Sequence, residues 1–215
     1  MNTRRAGFSP LQLLAVMTIL SVVIGLAITL WPRVRMSASR SNEGAALKQL
    51  CRQQSVWRSQ DTDGNGVADY WTRDVAAFHA LHDRAGKAVA YFDLSFARAD
   101  KAPAQAYLEL GGISGPKQGY FFQAMLTAPS GRPYVDSSLP PPRAGNAPSG
   151  PCTNAREFGF VSFPDVYNSD GVQIYMVGED GVVWQKDLGP AAPPPLDRRQ
   201  TAPERPASGW TQFGG

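Results

Sequence analysis

The chain opens with a long uncharged apolar segment. Residues 11–31 (LQLLAVMTILSVVIGLAITLW) contain no charged side chain. As an α-helix this segment is about 30 Å long, which matches the apolar core of a bilayer. The pattern therefore predicts a transmembrane helix over residues 8–32. A cleaved secretory signal fits less well, because its apolar stretch is only about 7 to 15 residues long.

A polar stretch with helical spacing follows. Between residues 33 and 58, apolar side chains recur at Ala46, Leu47, Leu50 and Trp57, which is the spacing of one helical face. We therefore expect an amphipathic stalk helix over residues 33–58 that continues the apolar helix.

From residue 88 onward the pattern changes to short β-like runs separated by turn residues. The expected strands cover residues 89–92, 118–126, 157–163, 172–177 and 182–187. Gly-Glu-Asp-Gly at residues 178–181 predicts a hairpin turn between the last two strands. Pro, Gly and Ser dominate residues 128–151 and the tail, 189–215, and we expect both to be exposed and mobile. The predicted fold class is α+β, with a long N-terminal transmembrane and stalk helix packed on a small antiparallel β-sheet.

Composition narrows the possible partners. The chain of 215 residues has a net charge of +3 and a pI near 9.0. Its basic residues are scattered and form no stripe, which argues against nucleic-acid binding. Two cysteines, Cys51 and Cys152, match no metal-ligand spacing and are either a disulfide or two separate buried thiols. A disulfide between them is the prediction for an oxidising compartment.

One loop has the spacing of a calcium ligand set. Asp61, Asp63, Asn65 and Asp69 fall at positions 1, 3, 5 and 9 of an EF-hand-like loop, and Gly66 falls at the sharp-turn position 6. Oxygen donors at these positions can surround one calcium ion, so calcium is the one cofactor that the sequence indicates.

The same loop departs from that pattern at its end. Position 12 is Thr72, so the bidentate carboxylate is missing, and Asp74, a water or another loop would have to complete the site. The alternative is an ordinary turn in which the aspartates bond to their own backbone. Both interpretations stay open on the sequence alone.

The sequence shows no pattern of a zinc site or of a catalytic site. His79 and His82 are spaced to share a metal but lack further ligands, so we expect them to be surface histidines. The chain contains no nucleophile elbow, phosphate loop or dinucleotide fingerprint. We therefore expect no enzymatic activity.

Residues 4–12 (RRAGFSPLQ) place a basic leader and a glycine before a phenylalanine that opens the apolar helix. This junction resembles the class III signal of type IV pilins and type II secretion pseudopilins. The resemblance implies that prepilin peptidase removes residues 1–7 by cutting between Gly7 and Phe8, and that the new Phe8 amine is methylated. It also implies a single-pass inner-membrane protein with a cytoplasmic N-terminus and an extracytoplasmic domain over residues 59–188.

Gln12 departs from the resembling family. Family members carry a glutamate at the fifth mature position, which is thought to neutralise the N-terminal amine of an adjacent subunit during packing. Gln12 can accept a hydrogen bond but supplies no negative charge. The departure suits a minor or accessory subunit better than a repeating shaft subunit.

The C-terminal half carries a second resemblance. Residues 119–129 (GYFFQAMLTAP) and 157–190 resemble an uncharacterised family of exported bacterial domains with a GY-aromatic strand and a "DG-x-VY-x-KDLG" hairpin. That family implies an exported β-sheet domain and no activity.

These observations predict a structural pilin-like protein, a pseudopilin that contacts other pilin-like subunits in a type II secretion or type IV pilus system. The alternative is a solitary bitopic membrane protein whose extracytoplasmic domain binds a ligand or a partner and never polymerises.

Overall fold

The structure of the protein is a computed structural model. It describes residues 10–83, 85–143, 145–201 and 208–214, and the side chains of these residues outside 27–39 and 200–201. The chain divides into two compact units, Met1–Ala38 and Ser39–Gly215.

The helices and strands of the described residues are short, with one exception. The helices are α1 (Pro10–Gln60), α2 (Ala77–Ala80), α3 (Leu94–Arg98), a 3-10 helix (Leu108–Leu110) and α4 (Arg198–Thr201). The strands are β1 (Tyr70–Trp71), β2 (Tyr120–Ala124), β3 (Thr153–Asn154), β4 (Gly159–Pro164), β5 (Gln173–Gly178), β6 (Trp184–Asp187) and β7 (Thr211–Gln212).

The strands form two antiparallel sheets. The larger sheet has five strands in the order β2-β4-β5-β6-β7, and β1 pairs with β3 in a separate ribbon. Strands β2, β4, β5 and β6 lie within or next to segments expected from the sequence. The hairpin turn between β5 and β6 is confirmed, because the Gly181 N–H donates to the Gly178 carbonyl at 3.0 Å and Gly181 adopts a φ of 68°.

The membrane-spanning prediction is wrong. None of the helices in the described part of the chain combines the length and the apolarity that crossing a membrane requires. This corrects the predicted transmembrane helix over residues 8–32 and the predicted single-pass placement in the inner membrane. It also conflicts with the layout of a membrane-anchored pseudopilin.

The stalk in the predicted fold class is also wrong, because the C-terminal part of α1 belongs to a core. Leu47, Leu50 and Trp57 are 0 % exposed and pack in one cluster with Phe122 and Phe160 of the large sheet. Burying each of these side chains contributes about 1.5–3 kcal/mol. The second unit is therefore a globular α+β unit whose helical layer includes the end of α1, rather than a small sheet carried on a stalk.

The other face of the large sheet is covered by segments that the sequence indicated as exposed. Val161 and Met176 alternate with inner-face residues along their strands and face a second cluster, as the period of two requires. That cluster includes Tyr134 from the Pro-rich segment, 0 % exposed, and Trp210 from the tail, 7 % exposed. The expectation that both segments are exposed is thus wrong at these residues.

The expected strand at residues 89–92 does not form. Ala90 has a φ of 47°, which breaks the extended conformation. The N–H groups of Tyr91 and Phe92 donate to the carbonyl of Phe78 at 2.8 and 3.4 Å, so the segment wraps around the end of α2 instead of pairing in a sheet.

The predicted disulfide is absent from the structure, in which Cys51 and Cys152 are free thiols. The Cys51 thiol faces the carbonyl of Gly178 at 3.8 Å, whereas the Cys152 thiol faces the carbonyl of Gly150 at 3.4 Å. Burial is the main cause that raises the pKa of each thiol to about 12, so both are neutral and unreactive.

Gly159, at the start of β4, lies against the buried ring of Tyr134. A Cβ added at Gly159 would stand 2.6 Å from two ring carbons of Tyr134, which is fully buried and cannot move aside. We predict that Gly159→Ala lowers the free energy of unfolding by about 1–3 kcal/mol, the usual cost of overpacking. Gly115→Ala is the matched control, because no atom lies within 4 Å of its added Cβ. Urea denaturation of the full chain measures both, and equal effects would contradict the packing argument.

Glu43 is a buried acid at the contact between α1 and the large sheet. It is 2 % exposed and accepts a hydrogen bond from the Ser162 hydroxyl at 2.7 Å. Burial raises its pKa from 4.5 to about 7, against smaller opposite effects from Ser162 and from Lys117. Because the folded state keeps this proton longer than the unfolded chain, its contribution makes stability fall as the pH rises from 4.5 to about 7.

Glu43→Gln removes that titration and keeps an acceptor for the Ser162 hydroxyl. We predict equal stability of the variant and the wild type near pH 4 and a variant more stable by about 1–3 kcal/mol near pH 8, from about 1.4 kcal/mol per pKa unit. Urea denaturation at the two pH values is the measurement. A difference of the same size at both would show that the charge of Glu43 is not the cause.

Candidate functional site

The structure describes only part of the predicted prepilin signal, from residue 10 onward. Gly7 and Phe8, the predicted cleavage pair, lie outside the described residues. Gln12 lies in the first turns of α1, where its side chain is exposed, as are all residues from 10 to 26. The structure therefore places Gln12 on the surface of the apolar part of α1.

The predicted calcium loop directly follows the last turn of α1. Asp61 has a φ of 45°, which ends the helix, and its carbonyl accepts the N–H of Gly64 at 2.9 Å. The N–H of Gly66 donates to both carboxylate oxygens of Asp61 at 3.1 and 3.2 Å. Gly66 has a φ of 88°, a conformation that favours glycine. The loop thus curls back on the residue at its first predicted ligand position.

Two carboxylates of the loop are buried without full hydrogen bonding. Asp63 is 0 % exposed, and neither of its carboxylate oxygens has a hydrogen-bond partner. Asp69 is 1 % exposed; its Oδ2 accepts from the Asn65 amide at 2.9 Å, and its Oδ1 has no partner. Asn65 uses its own oxygen to accept the N–H of Val67 at 2.7 Å. An unpartnered carboxylate in a buried position is costly, so this pair requires a physical explanation.

Burial and neighbouring acids both raise the pKa values of the carboxyl groups in this loop. Burial raises the pKa of Asp63 to about 7, the negative charge of Asp69 raises it further, and the nearby backbone N–H of Asn65, which is not in good hydrogen-bond geometry, opposes this only in part. Burial likewise raises the pKa of Asp69, against smaller opposite effects from the Asn65 amide and the Thr153 hydroxyl. The loop thus gathers three carboxyl groups that repel one another when ionised.

A second segment covers the loop, and sequence reasoning did not identify it. The carbonyl of Asp63 accepts the N–H of Arg143 at 2.8 Å, and the Asn65 amide donates to the Pro140 carbonyl at 3.5 Å. Residues 140–143 lie far along the chain in the Pro-rich segment. No spacing or composition signal connected them with the loop.

The residues that could have completed an EF-hand ligand set point elsewhere. The Thr72 hydroxyl bonds to the carbonyls of Tyr134 and Cys152 at 3.1 and 3.2 Å. The carboxylate of Asp74 accepts from the Trp71 indole at 3.0 Å and from the Tyr107 hydroxyl at 2.9 Å. Neither side chain is available to the loop, so of the three alternatives for completing the site, only a water or another loop remains.

Among the described residues, no group of three or more His, Cys, Asp or Glu side chains is arranged to hold a metal ion. An ion in the loop would therefore need oxygen ligands beyond the carboxylates, from the Asn65 amide, the backbone or water. Such ligands suit calcium rather than zinc, which prefers nitrogen and sulfur.

The two histidines do not share a site. His79 contacts the carbonyl of Phe92 through Nδ1 at 2.7 Å, whereas His82 contacts the carboxylate of Glu109 through Nε2 at 2.7 Å. Both are partly buried rather than fully exposed, and each has its own partner.

Comparison with known proteins gives one partial similarity. Residues 153–212 match the model of a family described as Protein of unknown function (DUF2950). This region contains β3 to β7 and overlaps the segment that resembles an uncharacterised exported family. No curated protein matches the chain. No solved structure matches it either. The chain is thus similar, over its C-terminal sheet, to a family whose function is unknown.

Proposed function

We propose that the chain is a structural, non-catalytic subunit of a pilin-like assembly and that it serves as a minor or accessory component. The observation that supports this proposal is the exposed apolar surface of α1. Large apolar side chains on all sides of the helix are 46–77 % exposed; they are Leu11, Leu13, Leu14, Val16, Met17, Ile19, Leu20, Val22, Val23, Ile24 and Leu26.

A helix that is apolar on all sides is stable only when other apolar groups enclose it. The polar side chains in this part of α1 do not alter its surface character, because Thr18 and Ser21 bond to the carbonyls of Leu14 and Met17 at 2.9 and 2.8 Å. Helices of neighbouring pilin-like subunits are the occupants that fit, since equally apolar helices pack side by side without unpaired charges. Each large side chain enclosed in this way contributes about 1.5–3 kcal/mol.

The accessory role follows from Gln12. In a pack of apolar helices, an N-terminal amine needs a negative partner, because an isolated buried charge costs several kcal/mol, on the order of the penalties for unpaired ions. An amide offers only a hydrogen bond. A subunit with Gln12 is therefore a poor acceptor of a neighbour's amine and suits the end of an assembly better than its repeating shaft.

The buried acids of the second unit support a non-catalytic role. Asp100 accepts the N–H groups of Val75 and Ala76 at 2.6 and 2.8 Å, and so fixes the start of α2. Asp74 accepts the N–H groups of Ala77 and Ala104 at 3.2 and 2.7 Å. These carboxylates are occupied by backbone donors, as structural acids are.

The role of the apolar surface is testable with a charge introduced on α1. We predict that Leu20→Lys abolishes chemical cross-links to other pilin-like subunits in the native host, because the lysine must be desolvated when helices pack. Gln49→Lys is the matched control, since Gln49 is an exposed residue of the same helix within the second unit. Immunoblots of cross-linked cells measure the adducts. Unchanged adducts in Leu20→Lys would favour a solitary ligand- or partner-binding domain.

The accessory role is testable at Gln12. We predict that wild-type protein alone forms no long homopolymers and that Gln12→Glu increases self-association, because the carboxylate can neutralise a neighbour's amine. Cross-linking followed by electron microscopy compares the two, and Gln12→Ala controls for loss of the amide. Long filaments of wild-type protein alone would disprove the accessory assignment.

A further inference from the structure

The buried carboxylate of Asp63 is the strongest unexplained feature of the second unit. Its two oxygens are inaccessible and have no hydrogen-bond partner, although most buried polar groups in proteins have at least one. Such a group exists either as the neutral acid or beside a cation. Oδ1 of Asp69 is also buried without a hydrogen-bond partner, so three unpartnered carboxylate oxygens, from two aspartates, occur in one loop.

The chain order of the loop favours the cation. Asp61, Asp63, Asn65 and Asp69 have the spacing of positions 1, 3, 5 and 9 of a calcium loop. In the fold, the loop curls so that the N–H of Gly66, at position 6, reaches the carboxylate at position 1 at 3.1 Å. A random buried acid has neither this spacing nor this curl, and a neutral acid at Asp63 leaves the unpartnered Oδ1 of Asp69 unexplained.

We propose that the loop of residues 61–69 binds one calcium ion, with the carboxylates of Asp63 and Asp69 as its principal ligands and the Asn65 amide oxygen, backbone carbonyls and water as further oxygen ligands. This inference does not depend on the proposed assembly, because every ligand belongs to the second unit. The ion neutralises two buried acids that otherwise repel each other. It thereby stabilises the connection from α1 to β1 and the docking of residues 140–143 on the loop.

The expected affinity for calcium is low, because the loop has no carboxylate ligand at position 12. Thr72 bonds to the carbonyls of Tyr134 and Cys152 and leaves the loop without a bidentate carboxylate. We therefore expect a dissociation constant in the range of weak extracellular calcium modules, about 10⁻⁴–10⁻³ M. Magnesium is disfavoured because it demands near-octahedral geometry and gives up its waters reluctantly.

The test is the thermal unfolding of the full chain in three conditions: with about 10 mM calcium chloride, with about 10 mM magnesium chloride, and with chelator alone. A concentration of about 10 mM is at least ten times the expected dissociation constant. We expect calcium to raise the melting temperature by about 3 °C or more and magnesium to raise it less. Isothermal calorimetry with calcium alone gives the dissociation constant.

Asp63→Asn and Asp69→Asn are the informative variants, and Asp165→Asn is the matched control because Asp165 is an exposed aspartate of the same unit. We expect both loop variants to lose the calcium response and the control to keep it. Asp63→Asn removes a buried charge, so it is expected to fold without calcium. The proposal is overturned if wild type shows no calcium-dependent shift or heat, if Asp63→Asn responds like wild type, or if magnesium acts as strongly as calcium.

Discussion

The indole of Trp57 is enclosed where the last turns of α1 meet the segment that follows. Its ring centroid lies 5.0 Å from that of Trp71, 5.4 Å from Phe78 and 6.3 Å from Tyr91. Gln54, one turn earlier on α1, accepts the backbone N–H of Trp71 at 3.0 Å and donates to its carbonyl. These contacts draw β1 back against the helix. Residues 61–69, which connect α1 to β1, therefore form a tight loop. The side chains of Asp63 and Asp69 in this loop are buried.

The same helix face sets the architecture of the large sheet. Phe122, Phe160 and Tyr175 from three adjacent strands face the cluster that contains Trp57, and Glu43 bonds to Ser162 within the same face. A sheet with one face against a helix still needs a cover for the other face. The Pro-rich segment and the tail supply that cover, and β7 adds a strand to the edge at β6. Residues without a periodic pattern are thus part of the core because they close the second face.

The two units differ in how far their large apolar side chains are buried. In the second unit, large apolar residues are enclosed by the protein's own chain. In the first unit, the described apolar residues of α1 are exposed, as is typical of surfaces that bind other apolar groups. Buried acids show the complementary contrast, since Asp74 and Asp100 are satisfied by backbone donors whereas Asp63 is not. The apolar helix surface supports the proposed assembly, and the acidic loop supports the proposed calcium site.

Some features of the candidate site follow from the sequence, and others are visible only in the fold. The spacing of Asp61, Asp63, Asn65 and Asp69 identified the loop, because ligand positions in a short loop are a local property of the chain. The fold showed that Asp63 and Asp69 are buried and that Thr72 and Asp74 are committed to other partners. It also brought residues 140–143 onto the loop. No local pattern could indicate these contacts, because each joins residues that are distant along the chain.

By itself the sequence determined the features that depend on local periodicity and turn chemistry. These are a helix through Leu47 and Trp57, the positions of β2, β4, β5 and β6, and the Gly178–Gly181 hairpin turn. The expected membrane span and stalk were wrong, because each depends on surroundings that a local pattern does not contain, and the two cysteines are free thiols in the structure. Only the tertiary structure decided that the end of α1 lies in a core, that Tyr134 and Trp210 cover the outer face of the sheet, and that Cys51 and Cys152 have different neighbours. The physical reason is that burial is set by which distant segments meet, whereas helix and strand periodicity is set by adjacent residues.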